Sequence, residues 1–130
     1  MKIPVGKIGR NNLAKARSFL SIVSKWHNEQ GAKLSEALLE RLHEEKSVRG
    51  NPNVIIDSEM YNICMDAWNK SNANGEMIVD HVESIMKRME ERYSRASDDH
   101  YLTARPDRYS YNCLINAYSK CEKDSSDEVE

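Results

Sequence analysis

MYNICMDAWNKS, at residues 60–71, returns fifty residues later as SYNCLINAYSKC, at residues 110–121. A tyrosine, an asparagine, an alanine, an aromatic residue and a lysine coincide at this one offset, and Asp57 and Asp107 match just upstream. Self-similarity at a period of a few tens of residues is typical of a solenoid, in which each unit buries its apolar face against its neighbours. The sequence therefore predicts a helical repeat protein.

Apolar stripes at helical spacing alternate with short polar breaks and predict five helices. Gly31 is expected to end the first helix, and a break at 50–53 and a turn at 71–75 separate the next ones. A polar loop at 96–105 precedes the last helix. The predicted helical limits are 12–29, 33–46, 58–70, 76–95 and 107–120. The fold class is therefore predicted to be all-α.

The first two helices resemble the later ones less closely. Phe19 and Trp26 stand where Tyr61 and Trp68 stand, at an offset of 42, and a weaker match at an offset of 46 relates residues 38–44 to 84–90. The helices are thus expected to follow the order AB-AB-A, two hairpins and a lone fifth helix. That last helix leaves an apolar face uncovered, which predicts further sequence beyond it.

The organisation that follows from these repeats has five parts. They are a basic N-terminal segment (1–11), a degenerate first hairpin (12–57), a long second repeat (58–107), the first helix of an incomplete third repeat (108–121) and an acidic tail (122–130) that is expected to be disordered.

Charge is unevenly distributed along the chain. Residues 1–28 hold six basic side chains and no acidic one. Of the nineteen basic and twenty-one acidic residues of the chain, thirteen and twenty-one therefore lie in residues 29–130, which carry a net charge of −8. Such a start is typical either of an organelle transit peptide or of the solvated face of a first solenoid helix. The second interpretation is favoured by one apolar helical stripe, which consists of Leu13, Ala16, Phe19, Leu20, Val23 and Trp26.

Composition excludes several classes of protein. The 130 residues make one domain at most, and no apolar run approaches the roughly 18 residues that a membrane-spanning helix needs. Cys64, Cys113 and Cys121 show no CxxC spacing and follow no secretory signal, so buried, reduced thiols are expected. No HExxH, Walker or GxSxG motif is present, and the carboxylate pairs at 44–45 and 90–91 are expected to be solvated. The chain is therefore expected to have no enzymatic activity, metal, cofactor or small-molecule substrate.

Residues 107–120, with their Tyr-Asn pair, apolar pair and Ala-aromatic-x-Lys ending, resemble the first helix of a pentatricopeptide repeat. Residues 82–91 with 105–107 resemble the second helix and closing turn of the preceding repeat. The resemblance is strong for residues 58–121 and weak for 12–57. It implies a right-handed α-α superhelix of antiparallel helical hairpins.

The resemblance also implies single-stranded RNA binding, with one base read per repeat, in RNA processing, stability or translation in a mitochondrion or plastid. The family's base-reading residues correspond to Asn62 and Asp107, a combination that generally favours uracil, and to Asn112 in the third repeat. Leu20 occupies the reading position opposite Asp57 and cannot hydrogen-bond a base. Because the second repeat is longer than the family's unit, its extra residues could displace Asp107 from the groove.

Several alternatives remain open. The four aromatic residues of the motif are expected to be core side chains rather than base-stacking platforms. Lys70 and Lys120 are expected either to contact phosphate or to offset a helix dipole. The whole chain could instead be a short helical adaptor that binds a protein or peptide on its concave face, with adaptable contacts from Met65, Met77, Met86 and Met89.

Overall fold

A computed structural model describes residues 10–51, 54–94 and 104–129. Within these residues there is no strand. Five helices account for most of them: α1 (Arg10–Ser24), α2 (Glu29–Ser47), α3 (Ser58–Asn69), α4 (Gly75–Ser94) and α5 (Arg108–Val129). The predicted all-α fold with five helices is confirmed. The predictions for the basic segment and for the polar loop at 96–105 fall largely outside the described residues.

The boundary between α1 and α2 differs from the prediction. α1 ends at Ser24, and Gly31 lies inside α2 rather than at the end of α1. The cause is Asn28, an N-cap in extended conformation (φ −137°, ψ 167°) whose Oδ1 accepts a hydrogen bond from the Gly31 amide at 2.7 Å. Glycine is needed there because a Cβ would lie 2.5 Å from the carbonyl oxygen of Val23. Gly31 thus allows a close approach of the two helices.

The last helix is longer than predicted. α5 runs to Val129, beyond the predicted end at Lys120, so the acidic segment is helical through Val129 rather than disordered. No glycine or proline follows Pro106, and glutamate and lysine are good helix formers. A helix that packing has already nucleated adds further residues at little cost in free energy.

The helices form two layers. Residues 25–28 and 70–74 are short connections that fold α1 back on α2 and α3 back on α4 as helical hairpins. α3 contacts both α1 and α5, while α2 packs against α1 and α3, and α4 packs against α3 and α5. The described helices therefore follow the order AB-AB-A, with α1, α3 and α5 in the first layer. The handedness of the superhelix stays a prediction from the resemblance.

The core lies between the two layers around α3. Tyr61 and Trp68 have no exposed area, as predicted for core aromatics. Tyr111 and Tyr118 stand at the equivalent positions of α5 but remain 48% and 47% exposed, so the same prediction is wrong for them. The difference arises because α5 packs only against α3 and α4, and no described helix covers its far side.

The three cysteines are free thiols. Cys64 and Cys113 are buried, and this burial raises the pKa of Cys64 above its usual range and the pKa of Cys113 to about 12. Both thiols are therefore protonated at neutral pH and behave as core side chains. The expectation of buried, reduced thiols is confirmed for these two, whereas Cys121 is partly exposed.

The second-layer helices repeat each other at an offset of 47. Five buried residues of α2 match five buried residues of α4 in this register, namely Gly31 with Ile78, Ser35 with Val82, Leu38 with Ile85, Leu39 with Met86 and Leu42 with Met89. The offset of 46 that the sequence suggests is one residue out, because it pairs buried Leu38 with exposed Ser84. Burial, rather than residue type, identifies the equivalent positions.

Candidate nucleic-acid interface

Asp57 caps the N-terminus of α3, and Asp107 caps the N-terminus of α5. A carboxylate oxygen of Asp57 accepts a hydrogen bond from the Met60 amide at 3.1 Å. Asp107 Oδ1 accepts one from the Ser110 amide at 3.0 Å. Aspartate is a preferred N-cap because its side chain satisfies a backbone N–H that has no partner within the helix. Helix capping therefore explains why aspartate recurs at positions 57 and 107, independently of any role in binding.

Each aspartate also binds a side chain from the preceding first-layer helix. Asn62 Nδ2 donates to Asp107 Oδ1 at 3.1 Å and lies 3.4 Å from Oδ2. Arg17 Nη2 forms an ion pair with Asp57 Oδ2 at 2.7 Å. The structure thus brings together Asn62 and Asp107, the two residues that the resemblance singles out. The extra residues of the second repeat therefore do not separate Asp107 from Asn62.

The Asn62 amide is buried behind the carboxylate. Its side chain and backbone together are only 6% exposed, and its Oδ1 accepts a hydrogen bond from Ser110 Oγ at 2.7 Å. Asp107, in contrast, is exposed. Burial would by itself raise the pKa of Asp107, but hydrogen bonds from the Ser110 amide and hydroxyl and from Asn62 outweigh it and hold that pKa below its usual range. A ligand would therefore meet an ionised carboxylate that Asn62 orients from behind.

The first repeat differs from the prediction. Leu20 is fully buried, and the side chain that faces Asp57 is Arg17, which stands 45 residues before Asn62. The offset of 42 aligned Trp26 with Trp68, but Trp26 lies beyond the end of α1 and is 47% exposed. Sequence reasoning missed Arg17 because an arginine does not resemble the asparagine that it replaces.

A groove of about 490 Å³ lies beside the Asn62–Asp107 pair. It is lined by residues of α1, the α1–α2 connection, α3 and the start of α5, among them Ser21, Lys25, Ser58, Glu59, Asp66, Lys70 and Tyr109. Three carboxylates (Glu59, Asp66 and Asp107) face two lysines, of which Lys70 binds Asp66 at 2.9 Å. The groove is therefore polar and close to neutral, with no strongly basic field.

Asn112 does not join this groove. It is exposed on α5 and is not among the residues that line the cavity beside Asn62. Two predicted site residues, Asn62 and Asp107, are thus together, and the third stands apart.

The motif tryptophan binds the second layer. Trp68 Nε1 donates to Glu36 Oε1 at 2.9 Å, and the His81 ring stacks on the indole with centroids 3.8 Å apart and planes 10° from parallel. His81 Nδ1 lies 3.0 Å from the same carboxylate oxygen. Trp68 therefore joins α2, α3 and α4.

Two arginines of α4 extend these contacts. Arg88 forms ion pairs with Glu36 at 2.9 Å and with Glu40 at 2.5 Å. Arg92 binds Glu40 at 2.9 Å and donates a hydrogen bond to the Tyr61 hydroxyl at 2.8 Å. Sequence reasoning missed this network. Its signal was the matching spacing, since the two glutamates of α2 and the two arginines of α4 each stand four residues apart on one helical face.

A buried carboxylate holds the segment that leads from α2 towards α3. Glu45 has no exposed area, and its Oε1 is bound by Arg41 at 2.9 Å and by Arg49 at 3.1 Å. Burial would by itself raise the pKa of Glu45, but hydrogen bonds from Arg41 and Asn51 and the charge of Arg49 hold it below its usual range. The expectation of a solvated carboxylate is thus wrong for Glu45, while it is right for Glu44 beside it.

Two further features were sought among the described residues, a metal site and a membrane-spanning helix. No group of three histidine, cysteine or acidic side chains there could hold a metal ion. None of the helices in those residues combines the length and the apolar character that a membrane crossing requires.

Comparison with protein-family models, with curated proteins and with solved structures found no match to this chain. The fold therefore rests on the helices and contacts described above, and the family stays an expectation from residues 58–121.

Proposed function

We propose that the chain is a single-stranded RNA-binding helical-repeat protein of the pentatricopeptide type, which reads a base at the Asn62–Asp107 pair. The observation that supports this function is the 3.1 Å hydrogen bond between these two side chains beside a groove. They are 45 residues apart in the chain and occupy the two positions that the resemblance associates with base reading. The same resemblance favours a role in mitochondrial or plastid RNA processing, stability or translation.

The pair has the chemistry to prefer uracil over cytosine. The ionised Asp107 carboxylate accepts hydrogen bonds only, so it can accept the N3–H of uracil and repels the N3 lone pair of cytosine. The Asn62 amide, which is only 6% exposed, contributes by holding this carboxylate in place from behind. Its orientation is held from both sides, because Asp107 accepts from its nitrogen and Ser110 donates to its oxygen.

Phosphate contacts are expected to be few. Lys25 and Lys70 are the two lysines on the groove, against three carboxylates. Single-stranded binding loses affinity with a slope of about −0.7 per phosphate contact in a plot of log affinity against log salt, so two lysines predict a slope of about −1.4. Binding by one complete repeat is therefore weak and only moderately sensitive to salt.

The test is an NMR titration of the labelled chain with a short oligouridylate and, separately, an oligocytidylate. We expect the oligouridylate to shift the side-chain amide signals of Asn62 and the backbone amide of Ser110 more than the oligocytidylate does. Asp107→Asn should remove this preference while keeping the helix cap, because asparagine caps as well as aspartate. Glu59→Gln, which removes the same charge from the groove, is the matched control and should keep the preference.

Two results would contradict base reading at this pair. One is an equal response to the two oligonucleotides. The other is the same loss of binding in Asp107→Asn and Glu59→Gln, which would mean that the groove senses only its net charge.

A concave-face adaptor has less support from the side chains. Met65, Met86 and Met89 are buried in the core, and Met77 is partly buried, so these methionines do not offer an adaptable contact surface in the groove. Salt separates the two functions, because an apolar groove would keep its peptide as salt rises whereas RNA binding weakens.

A further inference from the structure

The connection between α1 and α2 contains a strained residue. His27 has a φ of 56°, which lies in the left-handed region that a residue with a Cβ adopts only at a cost in free energy. No other described residue except Gly50 has a positive φ. The connection has four residues (25–28), against five (70–74) in the equivalent connection between α3 and α4. A shorter connection has to turn more sharply, which accounts for the conformation at this position.

The turn alone does not account for the choice of histidine. Glycine would adopt the same φ without strain, and a surface turn has no preference for an imidazole. The His27 ring makes no hydrogen bond, ion pair or ring contact with any described residue. His27 is exposed and lines the groove beside Asn62 and Asp107. Strained residues cluster at ligand-binding sites, so the groove is the place where this imidazole would act.

The groove has two ends. Lys70 follows Asn62 by eight residues at the end of α3, so the two side chains are about 12 Å apart along the helix axis. His27 lies at the Lys70 end, because the two connections between helices are in contact there. Asn72 Oδ1, in the second connection, accepts a hydrogen bond from the Glu29 amide at 3.0 Å, just after the first connection. We call the two ends the reading end, at Asn62, and the lysine end, at Lys70.

The charges of the two ends differ. At the lysine end, Lys25 and Lys70 face one carboxylate, that of Asp66. At the reading end, the described residues that line the groove include the carboxylates of Glu59 and Asp107 and no cationic side chain. A phosphate group is therefore favoured at the lysine end and disfavoured at the reading end, where a neutral base can lie against the carboxylate.

We propose that His27 donates a ring N–H to a phosphate oxygen of bound RNA at the lysine end. This contact presupposes the RNA binding proposed above. An imidazole has at least one N–H donor in either protonation state, and that of His27 has no competing partner among the described side chains. Phosphate contacts position a strand, whereas base contacts specify its sequence. His27 therefore places the RNA backbone so that a base reaches Asn62 and Asp107, and it contributes equally to every sequence.

His27→Gly tests this contact in the full chain, because glycine keeps the left-handed φ and removes the imidazole. In NMR titrations with the oligouridylate and with the oligocytidylate, we expect the variant to bind each of them about threefold more weakly and to keep the ratio of the two affinities. Since glycine relieves the strain, the urea midpoint of the variant should be no lower than that of the unmodified protein. Gln30→Ala, at an exposed position outside the groove, is the control and should bind as the unmodified protein does.

Four outcomes would overturn this role of His27. The first is equal affinity of His27→Gly and the unmodified protein, and a preference for the oligouridylate in both would then show that base reading at the Asn62–Asp107 pair stands without the contact. The second is a changed ratio of the two affinities, which would make His27 a base contact. The third is a lower urea midpoint for His27→Gly, which would mean that the ring stabilises the connection. The fourth is no binding of either oligonucleotide to the unmodified protein, which would overturn the proposed function as well.

Discussion

Asn62→Ala tests how firmly the candidate reading residue is built into the fold. The change removes an acceptor for the Ser110 hydroxyl at 2.7 Å and a donor to the Asp107 carboxylate at 3.1 Å. A neutral hydrogen bond contributes about 1 kcal/mol and one to a charged group about 1.5–3 kcal/mol. The second value is discounted because Asp107 is exposed and water can replace the amide. In the variant the single Ser110 hydroxyl proton can turn to Asp107 Oδ1, which lies 3.0 Å away. We therefore expect a loss of about 2 kcal/mol in the free energy of unfolding.

Asn112→Ala is the control that the repeat itself supplies. Asn112 follows a tyrosine, as Asn62 does, but is exposed on α5, so its replacement should change the free energy of unfolding by less than about 0.5 kcal/mol. Urea denaturation followed by circular dichroism measures both variants. At low pH the cost of Asn62→Ala should shrink. The lowered pKa of Asp107 means that its stabilisation is present above the unfolded-state pKa and is lost as pH falls through the folded-state pKa.

Equal losses in the two variants would refute this reasoning. So would a pH-independent cost, because the bond from Asn62 to the ionised carboxylate could then not be part of it.

Two further predictions follow from buried groups. Glu45→Gln should cost about 2 kcal/mol at neutral pH because it weakens two charged hydrogen bonds, whereas Glu44→Gln beside it should cost almost nothing. The pKa of Glu45 is lowered in the folded protein, so the difference in free energy of unfolding between the two variants should become smaller as pH falls through that pKa. Urea denaturation measures this difference, and a value that does not change with pH would contradict the ion pairs. With a thiol reagent, Cys121 should react in the native protein, while Cys64 and Cys113 should react only on unfolding. Rapid modification of all three thiols would show that the core opens.

Secondary structure was largely readable from the sequence. α3 and α4 were predicted at 58–70 and 76–95 and lie at Ser58–Asn69 and Gly75–Ser94. Helical periodicity and breaking residues act over a few neighbours, so they can be read without knowledge of the fold. The errors fell at helix ends, where Asn28 begins α2 ahead of Gly31 and where no residue ends α5 after Lys120.

Of the candidate site, the Asn62–Asp107 pair was predicted and the Arg17–Asp57 pair was not. The first pair follows from a repeated motif with a family resemblance. The second forms because Arg17 is the side chain of α1 that reaches the cap of α3, and that depends on how the two helices pack. The network of Glu36 and Glu40 with Arg88 and Arg92 has the same origin, since its partners come from different repeats.

The sequence by itself determined five helices and the offset of 50 that relates α3 to α5, because these depend on local backbone preferences and on spacing along the chain. Only the tertiary structure decided which copy of the motif is core and which is surface. Tyr61 and Trp68 are fully buried, while Tyr111 and Tyr118, at the matching positions of the repeated motif, are about half exposed. The reason is physical. The burial of a side chain depends on which helices pack against its face. Helix α4 packs over Tyr61 and Trp68 of α3, whereas no described helix covers Tyr111 and Tyr118 of α5.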